Sequence, residues 1–423
     1  MAMRTKLGLC VLLLCVVVCI STGQNQPQLS QLTRVRSAAD GRFLINDAPA
    51  FPIGFTLGPP TGATTADGTN AMEELKREGF VFQQWICPKK AWGREREAQL
   101  DALLQEANQQ GMHVAISIAD LQQVEETDPA RLAELKRVVI KYRNNPALLL
   151  WKGVDEPQWH NVPPENLRVY YQTIHALDPN HPIWVTQAPR GTVEELKPYS
   201  KFFDVGAIDI YPVSYPPGTH SGIDNKNLSV VGDYTQRIRK AMDGQKPAMM
   251  TLQICWSGVM NPGRTLRFPT YAEERYMSYQ AIINGARALL YFGGDIRASL
   301  NERDAAHGWN WTFFERVLRP VLDELRPDGP IYPALTAPES KAPIHSDAGP
   351  QLEFTAREAG RYLYILAAKR EGDTSQVTFS GIPQGIADGE VLFESPRHVQ
   401  VAEDKFTDWF GPNEVHAYRF RRP

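Results

Sequence analysis

Cysteine is scarce in this 423-residue chain and unevenly placed. Three of the five cysteines precede residue 20, which leaves only Cys87 and Cys255 for a folded domain. Two such cysteines can pair in an oxidising compartment or remain buried free thiols, and neither state specifies a fold. The sequence therefore excludes a scaffold held together mainly by disulfides.

The chain also lacks an excess of charge of one sign. Lys and Arg number 45 against 48 Asp and Glu, a formal net charge of −3, and no basic patch suggests a nucleic-acid partner. No His, Cys or acidic cluster has metal-ligand spacing, and neither a Gly-x-Ser-x-Gly elbow nor a His-Glu-x-x-His helix occurs. We therefore expect no metal and no cofactor.

Long hydrophobic runs are confined to the N-terminus. Residues 1–23 carry Arg4 and Lys6, then an apolar run from Leu7 to Ile20, and end in small residues, as in a secretory signal peptide. Its removal takes away two positive charges and no negative ones, so the net charge moves from −3 to −5. The run is short for a bilayer span, although a retained membrane anchor is the alternative. We expect a secreted or periplasmic protein with no membrane attachment after cleavage, and the sequence does not predict its oligomeric state.

What the chain does contain is an alternation of short apolar runs with helical patterns. Helix starts are indicated by Asp128 before Pro129, by Asp233, and by capping boxes at Thr192 and Thr270. The predicted strands occupy residues 51–58, 80–87, 112–120, 147–156, 183–189, 203–212, 247–253 and 286–295. Eight such units in under 300 residues predict a (β/α)₈ barrel over 41–328. A doubly wound sheet is the alternative, but the prolines of "LGPPTGATTADG" disfavour its phosphate-binding first turn.

The pattern of apolar and polar residues changes after residue 330. A proline-rich connection leads into runs such as "RYLYILAAKR" and "VHAYRF", in which apolar and polar residues alternate. This period of two, with turn residues between the runs, predicts a small antiparallel β-sandwich over 343–423.

Polar and aromatic residues stand where the predicted barrel strands end, and in barrels of this kind the chemistry lies at those ends. Carboxylates, amides and aromatic rings together suit a sugar, which offers apolar C–H faces and a rim of hydroxyls. The sequence therefore predicts a carbohydrate substrate. The candidate residues are Trp85, Asp120, Asp155, Glu156, Gln187, Asp209, Tyr211, Gln253, Trp256 and Asp295.

Glu156 is the candidate general acid. It lies between Trp151 and Trp159 in the sequence, and a carboxyl near apolar surface remains protonated more readily. An isolated Asp-Glu pair is more often a solvated loop or a helix cap. The position at the end of the fourth predicted strand favours the catalytic interpretation.

Residues 41–325 resemble the clan A glycoside hydrolases. "GRFLINDAPAFPIGF" resembles the start of the first strand of their barrels, "NNPALLLWKGVDEP" their fourth-strand segment, and "FDVGAIDIYP" their sixth strand. The resemblance implies that Glu156 is the acid/base and that Tyr211 contacts the reacting carbon. It also implies a small β-domain appended to the barrel.

Two departures from this resemblance leave the second catalytic group open. Asp155 stands where the clan has asparagine, and Gln253 stands about where it has the nucleophilic glutamate. One hypothesis supplies the second carboxylate from Asp209, then Asp295, then Asp155. A second is substrate-assisted hydrolysis, because "GVDEP" is also similar to the Asp-Glu pair of certain hexosaminidases. A third is a carbohydrate-binding barrel without catalysis.

Overall fold

The computed structural model describes residues 29, 31–254 and 267–423. A small antiparallel sheet comes first, with strands β1 (Val35–Ser37), β2 (Phe43–Ile45) and β3 (Ala48–Ala50) in that spatial order. The predicted signal peptide lies outside the described residues, as do Cys255 and Trp256.

A closed barrel of eight parallel strands follows and confirms the predicted fold. Its strands are β4 (Ile53–Thr56), β5 (Phe82–Cys87), β6 (His113–Ile118), β7 (Leu148–Lys152), β8 (Ile183–Gln187), β9 (Val205–Asp209), β10 (Ala248–Gln253) and β11 (Ala288–Phe292). Neighbours along the chain pair in order, and β11 pairs with β4 to close the ring. Each strand lies inside its predicted range, and β5 and β10 end where they were predicted to end. β7 ends earlier than predicted, so Asp155 and Glu156 lie on the loop after it.

Helices cover the outside of the barrel. The α-helices are Ala71–Arg77, Arg94–Gln110, Pro129–Tyr142, Arg168–Leu177, Val193–Leu196, Val230–Ala241, Tyr271–Ile283, Glu302–His307, Trp311–Phe313, Arg319–Leu325 and Tyr332–Leu335. Short 3₁₀ turns occupy Ala119–Leu121, Pro164–Leu167, Lys197–Phe202, Arg297–Ser299 and Gly349–Gln351, and Phe314–Leu318 is a π-helical turn.

Most predicted helix starts are confirmed by side-chain caps. The Asp128 carboxylate accepts from the backbone of Arg131, and both predicted capping boxes form. The prediction for Asp233 was wrong. That helix begins three residues earlier, at Val230, and the Asp233 carboxylate instead pairs with Arg370 of the C-terminal region.

Antiparallel sheets form the C-terminal region. A three-stranded sheet has the order β12 (His345–Ser346), β15 (Ser375–Ser380), β18 (Phe406–Phe410). A five-stranded sheet has the order β13 (Leu352–Ala359), β14 (Tyr362–Lys369), β19 (Val415–Arg421), β16 (Asp388–Leu392), β17 (His398–Gln400). Side chains of both sheets share one buried core, with Phe379, Phe406 and Phe420 among its largest members, as in a β-sandwich.

Large side chains fill the inside of the barrel. Phe82, Leu149, Trp184, Met249 and Leu290 pack there as a separate buried cluster. This packing is typical of such barrels, whose interior is a core rather than a pore. Within the described part of the chain, no helix has the length and apolar character needed to cross a bilayer.

Candidate active site

A cavity of about 220 Å³ opens at the carboxyl end of the barrel. Seven of the eight strands or the loops that follow them contribute to its lining, so the closed barrel itself fixes its shape. The lining residues are Thr56, Gln84, Ile86, Lys152, Asp155, Glu156, Trp184, Thr186, Asp209, Tyr211, Thr251, Leu290 and Phe292. Three carboxylates therefore share one small space with one ammonium group.

Glu156 lies on a tight turn directly after β7. Its backbone N–H donates to the Thr186 carbonyl at 2.8 Å, which fastens the turn to β8. Its φ of +45° lies in the left-handed region, which a glutamate adopts only at a cost of about 1–3 kcal/mol. The surrounding structure imposes this conformation, and strain of this kind concentrates at functional sites.

The Glu156 carboxyl is mostly enclosed, with 22% of the side chain exposed. Burial raises its pKa above the usual range, and the negative charge of Asp155 raises it further. The opposing influences are smaller: His160, whose Nε2 lies 3.5 Å from Oε2, a hydrogen bond with Asp209, and Lys152. Glu156 is thus a carboxyl that keeps its proton to higher pH than an exposed glutamate.

Asp209 ends β9 and lies deeper in the cavity than Glu156. Burial raises its pKa well above the ordinary value, and the charges of Glu156 and Asp155 add to this. Tyr211 is hydrogen-bonded to it, and His220 Nε2 lies 3.8 Å from Oδ2, whereas the buried Oδ1 has no partner among the described residues. Because two neighbouring carboxyls cannot both ionise cheaply, the ionised form of each is disfavoured and the two titrations are linked.

Tyr211 is held between two flat side chains. Its ring stacks on His220 at 4.5 Å and on Phe292 at 5.3 Å. Its backbone N–H donates to His220 Nδ1, so in neutral His220 the proton is on Nε2, the nitrogen that faces Asp209. Burial and the nearby carboxylates raise the pKa of Tyr211 well above its usual value, so its hydroxyl stays protonated.

An exposed aromatic side chain stands at the rim beside Glu156. Trp159 is 52% exposed, and the guanidinium of Arg190 lies 5.2 Å from the centre of its ring. Arg190 also donates to the carbonyls of Pro189 and His220, which ties the loop after β8 to the loop after β9. The rim therefore offers an aromatic face held at a fixed position.

The structure brings together four of the ten predicted site residues: Asp155, Glu156, Asp209 and Tyr211 all line the cavity. Asp295 lies in a neighbouring cavity of about 750 Å³ beside the loops after β4 and β11, where burial raises its pKa. Trp256 falls outside the described residues.

The other four predicted residues take part in local structure around the cavity. Asp120 accepts hydrogen bonds from the backbones of Lys90 and Trp92 and so orders the loop after β5. Gln187 accepts from the backbone of Gln158. The amide of Gln253 is fully buried and exchanges two 2.8 Å hydrogen bonds with the backbone of Val213. Trp85 packs edge-on against Trp92.

Several lining residues were missed because the candidates were polar and aromatic residues near each predicted strand end, whichever face of the strand they occupy. Side chains alternate between the two faces of a strand, so Gln84 and Ile86 line the cavity while Trp85 between them does not. Lys152 had a usable signal, since it is a lysine in the otherwise apolar run "LLLWK". Among the described residues, no three His, Cys, Asp or Glu side chains are placed to hold a metal ion.

Comparisons with known proteins place the fold. No family sequence model and no curated protein sequence matches the chain. A solved structure described as a glycoside hydrolase has a TM-score of 0.62 at 14% identity, over 92% of this chain and 97% of that one. A family 5 glycoside hydrolase from Bacteroides vulgatus ATCC 8482 gives 0.63 at 14% identity over 92% and 93%. An α-amylase from Anoxybacillus gives 0.57 at 9% identity over 92% and 99%. At these identities the similarity shows a shared barrel with its appended β-domain.

Proposed function

We propose that the protein is a glycoside hydrolase that cleaves an O-glycosidic bond in an oligo- or polysaccharide. The observation that carries the proposal is the contact between the carboxyls of Glu156 and Asp209 at the mouth of the barrel. Glycosidic cleavage needs a group that gives a proton to the leaving oxygen and a second carboxylate opposite it. A pair that holds one proton near neutral pH supplies both.

In the proposed mechanism, Glu156 protonates the glycosidic oxygen as the bond from that oxygen to the anomeric carbon breaks. Glu156 has this role because it lies closer to the opening of the cavity than the more deeply buried Asp209. The Asp209 carboxylate then bonds to the anomeric carbon from below. Water, deprotonated by Glu156, attacks that carbon and releases Asp209, so both carboxyls return to their starting state.

Asp209 is the best-placed second carboxylate among the candidates. Gln253 is an amide that cannot form a glycosyl ester, and its hydrogen bonds to Val213 hold it in a structural role. Asp295 lies in the neighbouring cavity. Asp155 lines the cavity, but its side chain is 70% exposed and ion-paired with Lys152.

The same ion pair weighs against the second hypothesis, substrate-assisted hydrolysis. An aspartate that orients a 2-acetamido group must direct a free oxygen at it, whereas Oδ1 of Asp155 lies 2.8 Å from Lys152 Nζ. The non-catalytic hypothesis makes no use of the raised pKa values, since a binding site has no need of a carboxyl pair that shares a proton.

The test is to assay the chain from residue 24 onward against aryl glycosides and oligosaccharides of neutral and 2-acetamido sugars. We expect turnover, and we expect Glu156→Gln to lower kcat by at least ~100-fold with oligosaccharide affinity retained, because only proton transfer is lost. The loss should be smaller for an aryl glycoside whose phenolate leaves without protonation. Glu165→Gln, at an exposed carboxylate outside the cavity, is the matched control and should keep wild-type activity.

Other outcomes separate the alternatives. Binding without turnover of any sugar would favour the non-catalytic barrel. Activity limited to 2-acetamido sugars, lost in Asp155→Asn and kept in Asp209→Asn, would favour substrate assistance. Full activity of Asp209→Asn on neutral sugars would remove Asp209 from the mechanism.

We also propose that the protein is exported and acts outside the cytoplasm, on the strength of the charged start and apolar run of residues 1–23. Expression of the full chain in a bacterial host, followed by fractionation and N-terminal sequencing, tests this. A shortened protein outside the cytoplasm supports export, and an uncleaved chain in the membrane fraction indicates a retained anchor.

A further inference from the structure

Lys152 is a cation buried in the barrel. It is the last residue of β7, its side chain is 2% exposed, and its ammonium lies 4.5 Å from the centre of the Trp184 ring. Removing an ammonium from water costs several kcal/mol unless an opposite charge compensates. A lysine is therefore costly to keep at this position unless the site uses its charge.

Asp155 provides the opposite charge. Its Oδ1 lies 2.8 Å from Lys152 Nζ, in an ion pair whose geometry is not that of a hydrogen bond. This contact accounts for an aspartate where the clan A resemblance would place asparagine, since an amide would leave the buried ammonium without a counter-charge. We propose that Lys152 is a positioning residue of the site, which holds Asp155 at the rim and sets the charge balance in which Glu156 and Asp209 share their proton.

The charges around Lys152 come from several elements. Asp155 and Glu156 follow its own strand, with His160 one turn further on. Asp209 and Tyr211 face the cavity from β9 and the loop after it, and His220 lies next to both. The Lys152 ammonium is the positive charge that lies 2.8 Å from Asp155 among these carboxyls. The ammonium therefore opposes further accumulation of negative charge in the cavity.

This arrangement predicts opposite effects for the two members of the ion pair. Lys152→Met removes the positive charge and leaves that of Asp155. The shared proton should then bind more tightly, and both limbs of the pH–rate profile should move to higher pH. Asp155→Asn removes a negative charge and leaves that of Lys152, so both limbs of the profile should move to lower pH. A displacement of about one pH unit is the lower end of what a charge a few ångströms away produces.

The inference rests on the proposed glycosidase activity for its first experiment, the pH dependence of kcat/KM. We expect an alkaline shift in Lys152→Met, an acid shift in Asp155→Asn, and smaller shifts in Lys152→Arg and the Lys152→Met/Asp155→Asn double variant.

Lys246→Met is the matched control. Lys246 is also partly buried beside an aromatic ring and donates to the carbonyls of Ser200 and Phe203, but it lies outside the cavity lining. A purely structural role for Lys152 would lower the rate in both variants with the profile unmoved, and would overturn the inference.

A second experiment does not need activity. Carbon-13 NMR titration of the side-chain carboxyls, assigned with Glu156→Gln and Asp209→Asn, should show the midpoints of the pair moving up in Lys152→Met and down in Asp155→Asn. Shifts in the same direction, or none, overturn the inference. If no glycoside is hydrolysed but the titration midpoints rise in Lys152→Met and fall in Asp155→Asn, the proposed function fails while the role of Lys152 in the charge balance stands. If Lys152→Met does not fold, Asp155→Asn alone decides between a downward shift and none.

Discussion

At the scale of single residues, the site contains a strained backbone conformation and a buried carboxyl, both of which cost free energy in the folded state. Glu156 lies in a left-handed backbone conformation, and Asp209 is buried with one oxygen unpaired among the described residues. Neither feature stabilises the fold. Such features are retained where activity requires them. We therefore expect that replacing these residues can raise the free energy of unfolding while it lowers activity.

Asp209→Asn should therefore stabilise the protein. The pKa values of Asp209 and Glu156 are raised in the native state, so above pH 4 both carboxyls of the unfolded chain ionise while the native pair retains a proton, and stability falls as pH rises. The amide has the same shape and does not titrate, and we expect the free energy of unfolding at pH 7 to rise by about 1–2 kcal/mol. Urea unfolding of both proteins checks this. The gain should shrink at pH 3.5, and Glu165→Gln should show none; a loss of stability at pH 7 would contradict the argument.

The closeness of the two carboxyls also predicts the stereochemistry of the reaction. Retaining enzymes hold their carboxyls about 5–5.5 Å apart and inverting enzymes about 6.5–9.5 Å, the latter to admit a water. The hydrogen bond between Glu156 and Asp209 favours the shorter of these two separations. We expect the product first formed to keep the anomeric configuration of the substrate, as seen by proton NMR during early hydrolysis. Initial release of the opposite anomer would show that water enters between the carboxyls.

At the scale of strands and helices, the sequence predicted the barrel well because its signals are local. Apolar runs, capping boxes and the Asp128 cap each depend on a few neighbouring residues, and the structure confirms them. The candidate site was predicted less completely, since lining a cavity depends on which face of a strand each side chain occupies. A shift of one residue separates Trp85 from Gln84, and no local pattern fixed that choice.

The pairing of Lys152 with Asp155 was beyond prediction for a related reason. Both residues were visible in "LLLWKGVDE", but their contact depends on the turn after β7 bringing residue 155 back over the strand end. Likewise, the contact of Glu156 with Asp209 joins a loop residue to a strand residue 53 positions later in the sequence. Such contacts follow from barrel closure, which the sequence implies only as a whole.

One strand carries a pH-sensitive contact far from the site. His113 begins β6 and lies buried beside Thr33, whose hydroxyl donates to the Pro146 carbonyl, so His113 Nε2–H donates to Thr33. Burial, aided by the charge of Lys76, lowers the pKa of His113 from 6.5 to about 4. The unfolded chain therefore binds a proton below pH 6.5 that the native state binds only near pH 4.

Stability should consequently fall as the pH drops from 6.5 to 4, by about 3 kcal/mol from this residue. His113→Gln keeps a donor for Thr33 and does not titrate, so its unfolding free energy should lose less over the same interval. Chemical denaturation at several pH values measures the difference. His345→Gln, at an exposed histidine, should follow the wild type, and an equal acid sensitivity in His113→Gln would exclude this residue as the cause.

At the scale of the whole molecule, part of the five-stranded sheet packs into the core of the barrel domain. Leu366, Ala368, Leu392, Val415 and Ala417 of the five-stranded sheet belong to the same buried cluster as the barrel helices. Arg370 pairs with Asp233, and Arg275 donates to the Val415 carbonyl, so polar contacts also cross the boundary. The β-domain is thus part of what holds the helix Tyr271–Ile283 against the barrel.

Arg357 also links the two regions. Its guanidinium is fully buried in β13 and donates to the carbonyls of Ala334, Leu335 and Ile282, which lie at the C-terminal ends of two helices. The cation thus compensates the negative ends of both helices, where the Ala334 and Ile282 carbonyls also accept backbone N–H groups from Ala337 and Gly285. Arg357→Met should lower the free energy of unfolding by about 2 kcal/mol, since it removes three hydrogen bonds and leaves the Leu335 carbonyl without its donor. Because apolar and polar contacts join the two regions, we expect calorimetry to show one transition in both proteins, at lower temperature in the variant. Arg361→Met, at an exposed position, should leave that temperature unchanged. Two separated transitions in the wild type, or a chain ending at residue 340 that folds with wild-type thermal stability, would show that the barrel stands without the β-domain.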